Sequence, residues 1–270
     1  MIDNETLKQR ILKLVLNSDR KLSQSSIENS LCAELNIKRK KIRKAIIGLI
    51  SAGELEYTYV FGTSYVEKSF NRPVRISSSV IVKPYNRTYI PVDSDMVIDI
   101  FPGVSFGSGE HPTTRLSVQG IEYALKDLNL IPDFHDSTIL DIGTGSGILV
   151  IAALKFGIET GIGIDTDPCS ISEAKKNIQI NGLGNKIRIL NASEQIDGAF
   201  SFITANLRFP DIMNLFQGIS KNSKTGAPVV LSGIRPEEIN AVLDRYTKNT
   251  FKCLRTSEEK NWSCLILQKI

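Results

Sequence analysis

The chain has 270 residues, 41% hydrophobic and 23% charged, an ordinary globular composition that allows one large domain or two modest ones. No run of about 18 apolar residues occurs, which excludes a membrane-spanning helix; four scattered cysteines (Cys32, Cys169, Cys253, Cys264) and two histidines argue against a metal site and for thiols in a reducing compartment. The net charge of +4 lies wholly in the first quarter, where residues 1–70 hold 12 Lys and Arg against 8 Asp and Glu, while residues 71–270 hold 21 of each.

The opening MIDNETLKQRILKLVLNSDR is acidic and then amphipathic. It lacks the basic-then-apolar layout of a secretory signal, so a cytoplasmic location is expected. Leu7, Ile11, Leu14 and Val15 follow helical spacing. Ser23 stands as the N-cap of a second helix with Ile27, Leu31 and Leu35 on one stripe. A third helix places Ile42, Ala45, Ile46, Leu49 and Ile50 inward and stops at Gly53. ELEYTYVFGTSYVEK reads as two strands around Gly62. Helix, helix, helix, hairpin over residues 1–70 resembles a winged helix-turn-helix domain, in which the third helix is the reading helix. That helix opens with Lys38, Arg39, Lys40, Lys41, Arg43 and Lys44, six cations in seven residues. Such a cluster releases counterions on meeting phosphates, which favours nucleic acid. Protein contact is the competing reading.

Residues 71–114 contain β-rich runs broken by Pro84, Pro91 and Pro102, followed by FGSGEHPTTR, and are expected to form a linker and a cofactor lid. From residue 115 to 270 the pattern alternates. LSVQGIEYALKDL is helical, TILDIG a buried strand, ILVIAALKFG a helix, TGIGID a strand and PCSISEAKKNIQING a helix. IRILNA, SFITANL and PVVLSGI are further strands with helices between and after them, and the last twenty residues read as a hairpin. Alternating β and α predicts an α/β fold: a doubly wound, Rossmann-like sheet of seven strands.

The strongest local signal is TILDIGTGSGILVIAA, in which a strand runs through Asp141, Gly143, Gly145 and Gly147 into a helix. Glycines are needed where the backbone turns sharply and a ligand approaches closely. Asp165 closes the next strand, placed to accept from ribose hydroxyls. A dinucleotide fingerprint would need a third glycine at Ile148. The G-x-G-x-G actually present, after an acid, resembles the first motif of the seven-strand S-adenosyl-L-methionine-dependent methyltransferases. In that class a stretch after the third strand borders adenine; here it is Asn191-Ala-Ser193-Glu194, so Ser193 is the candidate contact.

FGSGEHPTTR, LDIGTGSGILVIAALKFG, GIDTDP, KKNIQING, ANL and LSGI, in this order over roughly residues 80–270, resemble the PrmA family, methyltransferases of a large-subunit ribosomal protein. The resemblance implies cofactor contacts at Thr114, Gly143, Asp165 and Asn206. Asn206 also ends a strand at the ligand-binding edge of the sheet, where its amide can hold an acceptor amine towards the methyl group. Two features depart from the family. Arg208 puts a cation at the substrate mouth, and the basic helical segment replaces the small α/β module that grips the ribosomal protein. His111 is expected to support the turn, Trp262 to pack, and Phe101, Phe106 and Phe209 either to line the mouth or to belong to the core. Ser108 has no strand-turn-helix context for a nucleophile.

The expected function is methyl transfer from S-adenosyl-L-methionine to a macromolecular acceptor, foremost a protein nitrogen. RNA as the acceptor is one alternative, and a nucleic-acid-binding regulator that senses the cofactor without catalysis is another.

Overall fold

The computed structural model describes residues 2–18, 20–60, 62–103, 105–194 and 198–270. The chain forms two compact units, Met1–Arg72 and Pro73–Ile270. Residues 73–114, most of the segment expected to link and cover, belong to the second unit.

The first unit holds helices α1 (Asn4–Asn17), α2 (Gln24–Leu35) and α3 (Arg39–Ser51), then strands β1 (Leu55–Val60) and β2 (Thr63–Lys68) paired antiparallel. Asp3 and Ser23 cap the first two helices by accepting from the N–H groups of Thr6 and Ser26, at 2.9 and 3.2 Å. Each such cap is worth about 1 kcal/mol. Leu7, Ile11, Ile27, Leu31, Ile42, Ile46, Leu49, Leu55 and Val66 form one core. Full burial of each large aliphatic contributes roughly 1.5–3 kcal/mol. The Val66 N–H also donates to the Leu22 carbonyl at 2.9 Å, which ties the hairpin to the turn between α1 and α2.

The second unit opens with a three-stranded sheet of β3 (Val74–Arg75), β4 (Val80–Pro84) and β5 (Met96–Ile100). Helix α4 (Pro112–Glu122) follows and runs into a π turn at Tyr123–Asp127. Then come β6 (Thr138–Ile142), α5 (Ile148–Lys155), β7 (Thr160–Asp165), α6 (Pro168–Ile180), β8 (Ile187–Asn191) and β9 (Phe202–Asn206). The chain continues through α7 (Phe209–Asn222), β10 (Pro228–Ile234), α8 (Ile239–Thr247), β11 (Phe251–Glu259) and β12 (Trp262–Lys269). The large sheet has the order β11-β12-β10-β9-β6-β7-β8. Its central pairs are parallel and β12 runs antiparallel to both β10 and β11. This is the predicted seven-strand architecture. The central strands read as apolar runs because both faces are covered. The order reverses beside β6, and ligands of such sheets bind outside the carboxyl ends of the strands at that point.

Candidate active site

Three loops meet at the carboxyl ends of β6, β7 and β9. The first is the turn from β6 to α5. Gly143, Gly145 and Gly147 have φ of +70°, +53° and +83°, a region L side chains rarely adopt. A methyl group on Gly145 would lie 2.5 Å from the Phe106 carbonyl oxygen, and one on Gly143 would lie 2.4 Å from Leu207 Cδ2. The glycines therefore allow the other two loops to press onto the turn.

Asp141 lies beneath it, fully buried, with its carboxylate accepting from Thr144 Oγ1 and Thr204 Oγ1, both at 2.6 Å. Burial drives its pKa up to about 6, against the lowering effect of the two hydroxyls. Fully buried and bonded to two hydroxyls of the protein, Asp141 supports the turn from beneath. Asp165, half-buried, accepts from the Gly145 N–H through Oδ2 at 2.9 Å and from the Asp167 N–H through Oδ1 at 3.0 Å. A carboxylate offers about four acceptor sites, so Asp165 holds the glycine turn and keeps capacity for further donors.

The second loop is FGSGEH. Gly107 and Gly109 have φ of +106° and +94°. The Ser146 N–H donates to the Phe106 carbonyl at 2.9 Å, and Ser146 Oγ to the Gly107 carbonyl at 2.8 Å. His111 caps α4, with Nδ1 accepting from the Thr113 N–H at 3.3 Å. Its ring centroid lies 5.1 Å from that of Phe106 and 5.0 Å from that of Trp262, and the Arg235 guanidinium stacks 3.6 Å over the indole. His111 and Trp262 thus have the supporting roles expected of them. Phe106 is 51% exposed at this edge. Phe101 instead stacks on Tyr85, and Phe209 packs into the sheet core. Thr114, one turn into α4, is fully buried, and its hydroxyl has no partner among the described residues. An orphaned donor is costly, and this one, at the start of the helix that follows the FGSGEH loop, fits a site that receives a polar ligand.

The third loop follows β9. Asn206 ends the strand opposite Ser232, half-buried, and its amide makes no hydrogen bond among the described residues. Leu207 packs against Gly143, and its N–H donates to the Ser232 carbonyl at 3.1 Å. A bulge in β10 at Gly233, φ +87°, makes this close approach feasible, since a methyl there would lie 2.1 Å from the Leu207 carbonyl oxygen. Arg208 is the exposed N-cap residue of α7 and has no partner among the described residues. Ser193 is exposed beyond β8, its Oγ donating to Asn191 Oδ1 at 2.7 Å; residues 195–197 lie outside the described residues.

The loop at 99–105 is held by a row of side chains on α6 that sequence reading passed over. Asn181 bonds both backbone groups of Asp99, Asn177 accepts from the Phe101 N–H at 2.8 Å, and Glu173 accepts from the Ser105 N–H at 3.0 Å. Buried Asn177 also donates to the Ser146 carbonyl at 2.8 Å, coupling this loop to the glycine turn. The signal was their four-residue spacing, which puts them on one helix face.

The six cations of the first unit divide. Arg43 binds Glu28 in a fork at 2.9 and 3.1 Å, Arg39 lies 3.7 Å from the same carboxylate, and Lys41 donates to the Ile2 carbonyl at 2.6 Å. Lys38, Lys40 and Lys44 are exposed without a partner among the described residues. No group of three or more metal-ligating side chains occurs among the described residues.

Residues 26–270 match the family described as "Ribosomal protein L11 methyltransferase (PrmA)". The chain belongs to the PrmA family. A curated PrmA relative, the ribosomal protein L11 methyltransferase of Clostridium botulinum (strain Alaska E43 / Type E3), is 34% identical over 201 residues, which is 74% of this chain and 61% of that protein. The relative from Clostridium perfringens (strain 13 / Type A) is 30% identical over 221 residues, 80% of this chain and 68% of that protein. The chain thus spans about three fifths of the botulinum protein's length. A crystal structure titled ribosomal protein L11 methylase from Lactobacillus delbrueckii subsp. bulgaricus superposes with a TM-score of 0.65 at 27% identity, covering 73% of this chain and 98% of that one. The PrmA match begins at residue 26, inside α2, well before the motifs that carry the resemblance.

Proposed function

We propose that the protein is an S-adenosyl-L-methionine-dependent methyltransferase whose acceptor is a nitrogen of a macromolecule, a ribosomal protein. The observation that carries this reading is the meeting of the glycine turn, Asp165 and the unengaged amide of Asn206 at the reversal point of the sheet. The PrmA membership and the relatives' names point the same way.

The cofactor, when bound, supplies an electrophilic methyl group. The residues present fit it: an orphaned Thr114 hydroxyl, positive-φ glycines that expose backbone, and an acid with spare acceptor sites. Gly143, Gly145 and Gly147 would hold it along the turn, Asp165 would accept from its ribose hydroxyls, and Ser193 would border the adenine. Thr114 is sealed from solvent, so a ligand reaches it only as the covering side chains shift. Asn206 orients the acceptor amine by accepting a hydrogen bond from it, leaving the nitrogen lone pair directed at the methyl group. Positioning of this kind makes the encounter effectively intramolecular, which is a large part of the acceleration.

The first unit we assign to recognition of the macromolecule, and its residue order supports a winged-helix-like role. Arg208, a cation without a partner among the described residues, two residues beyond Asn206, favours a second reading in which RNA is the acceptor. Methyl-labelled cofactor incubated with ribosomal subunits, followed by separation of protein from RNA, tests the choice. Label in protein is expected. Label in RNA selects the second reading, and label in neither, with the cofactor still bound, leaves a sensor without catalysis.

A further inference from the structure

We propose that the exposed face of α3, together with the tyrosines of β1, is a binding surface for single-stranded RNA. It rests on the functional reading in one respect: the ribosomal setting of the acceptor selects RNA over DNA.

The charge argument comes first. This one face carries a net +4 of the first unit's excess of +5: Lys38, Arg39, Lys40, Arg43 and Lys44 offer five cations against the single carboxylate of Glu28. Ile42, Ala45, Ile46 and Leu49 are buried, so residues 39, 40, 43, 44 and 47 project outward together. Three of these six opening cations are tied down. The Arg43 guanidinium beside Glu28 holds that carboxyl below its usual range, and Arg39 adds to it. The other three, Lys38, Lys40 and Lys44, have no partner among the described residues. Six cations at a helix N-terminus oppose the helix dipole and one another. A solvated face gains nothing from that arrangement, whereas a phosphate chain relieves it.

The aromatic argument is independent. Tyr57 and Tyr59 lie on one face of β1 and are 50% and 73% exposed. Tyr57 Oη donates to Gln24, Gln24 Nε2 donates to Glu28 at 2.7 Å, and Glu28 accepts from Arg43. This relay sets the ring beside the cationic face, and Tyr57 contributes directly to the electrostatic surroundings of Arg43. Exposed tyrosines in the same unit as free lysines, with Tyr57 joined through Gln24 and Glu28 to Arg43, supply stacking platforms and backbone contacts, the combination that holds unpaired nucleotides. A duplex would meet the lysines and leave both rings idle. A protein partner would more naturally cover the rings and avoid five cations.

The test uses the full chain and fluorescence anisotropy on a labelled single-stranded RNA of about 12 nucleotides, with the same DNA strand and an RNA duplex alongside. Three lysines at about 0.7 counterion each give a log–log salt slope of roughly −2, so affinity falls about 20-fold between about 50 and 200 mM salt. Lys38→Gln, Lys40→Gln and Lys44→Gln together are expected to flatten that slope. Tyr59→Ala is expected to weaken binding about fivefold or more at unchanged slope. All four positions are exposed, and the thermal transition serves as a folding check. Absence of RNA binding at low salt, binding indifferent to both variants, or equal or tighter binding of DNA or duplex overturns the proposal. So does a ribosomal-protein peptide that binds through the same lysines while RNA does not. RNA binding is measured without cofactor, so its failure leaves the methyltransferase reading standing, and failure to bind cofactor leaves the RNA result intact.

Discussion

Thr114→Val replaces an orphaned buried hydroxyl with a methyl of the same size. Thr114 is 0% exposed and its Oγ1 has no partner among the described residues. A buried unsatisfied donor costs about 1–3 kcal/mol. Taking about 1 kcal/mol as recovered, the melting temperature of a unit this size rises by about 2–4 °C. Once the cofactor binds, the sign reverses. The variant lacks one hydrogen bond of about 1 kcal/mol, so its dissociation constant rises about fivefold. Its ligand-induced stabilisation shrinks by the same amount. Scanning calorimetry with and without S-adenosyl-L-methionine reads both effects: a variant that melts higher alone and gains less from ligand. A variant that melts lower alone yet keeps the full ligand shift would refute the assignment of Thr114 to the binding site.

Other expectations follow from the same geometry. Asp141→Asn keeps a group of the same shape between Thr144 and Thr204 while removing a buried charge. The folded pKa of about 6 lies above the ordinary 3.8, so the cost of ionisation, about 3 kcal/mol, is fully present above pH 6 and disappears as pH falls towards 4. Denaturation should find the variant more stable than wild type at pH 8, with the gap closing by pH 4; a gap independent of pH contradicts this. Gly145→Ala places a methyl 2.5 Å from a backbone oxygen at φ +53°. The backbone term alone is about 1–2 kcal/mol, so melting should fall by several degrees and cofactor binding should weaken. Asn206→Ala should lower kcat about 100-fold with cofactor affinity nearly kept, as measured by turnover and titration side by side. Equal losses in both would move Asn206 from acceptor positioning to cofactor holding.

Much of the second unit was legible because its cues are local. TILDI, TGIGID and FITAN are apolar runs between glycine or polar turns, and strands covered on both faces read that way. The ordered motifs brought Thr114, Asp165 and Asn206 forward before any contact was known. What stayed hidden depends on distance in sequence. Nothing near Asp141 announces that Thr204, sixty-three residues on, fills one of its oxygens. Glu173, Asn177 and Asn181 look like the polar face of a helix, and only the fold shows that a loop some seventy to eighty residues earlier lies against them. The cation run on α3 reads as six equal charges, because Glu28 looks like any surface acid until α2 and α3 pack. LSVQGIEYALKDL reads as one helix, whereas the structure turns to π geometry after Glu122. There the carboxylate is gripped by the serines at 77–79, and their hydrogen bonds outweigh the effect of burial and hold its pKa below the ordinary value.

The central claim is that the glycine turn and Asp165 hold S-adenosyl-L-methionine. Isothermal titration of the full chain, compared with Asp165→Asn, addresses it directly. The asparagine keeps an acceptor for the Gly145 N–H but sets its NH2 against the Asp167 N–H, so a melting curve checks the turn; beyond that it loses the charge-assisted bonds to the ribose, worth about 1.5–3 kcal/mol. The account predicts one cofactor per chain for the wild type and an affinity about 10- to 100-fold weaker for the variant. No binding by the wild type, or equal binding by both, would contradict it.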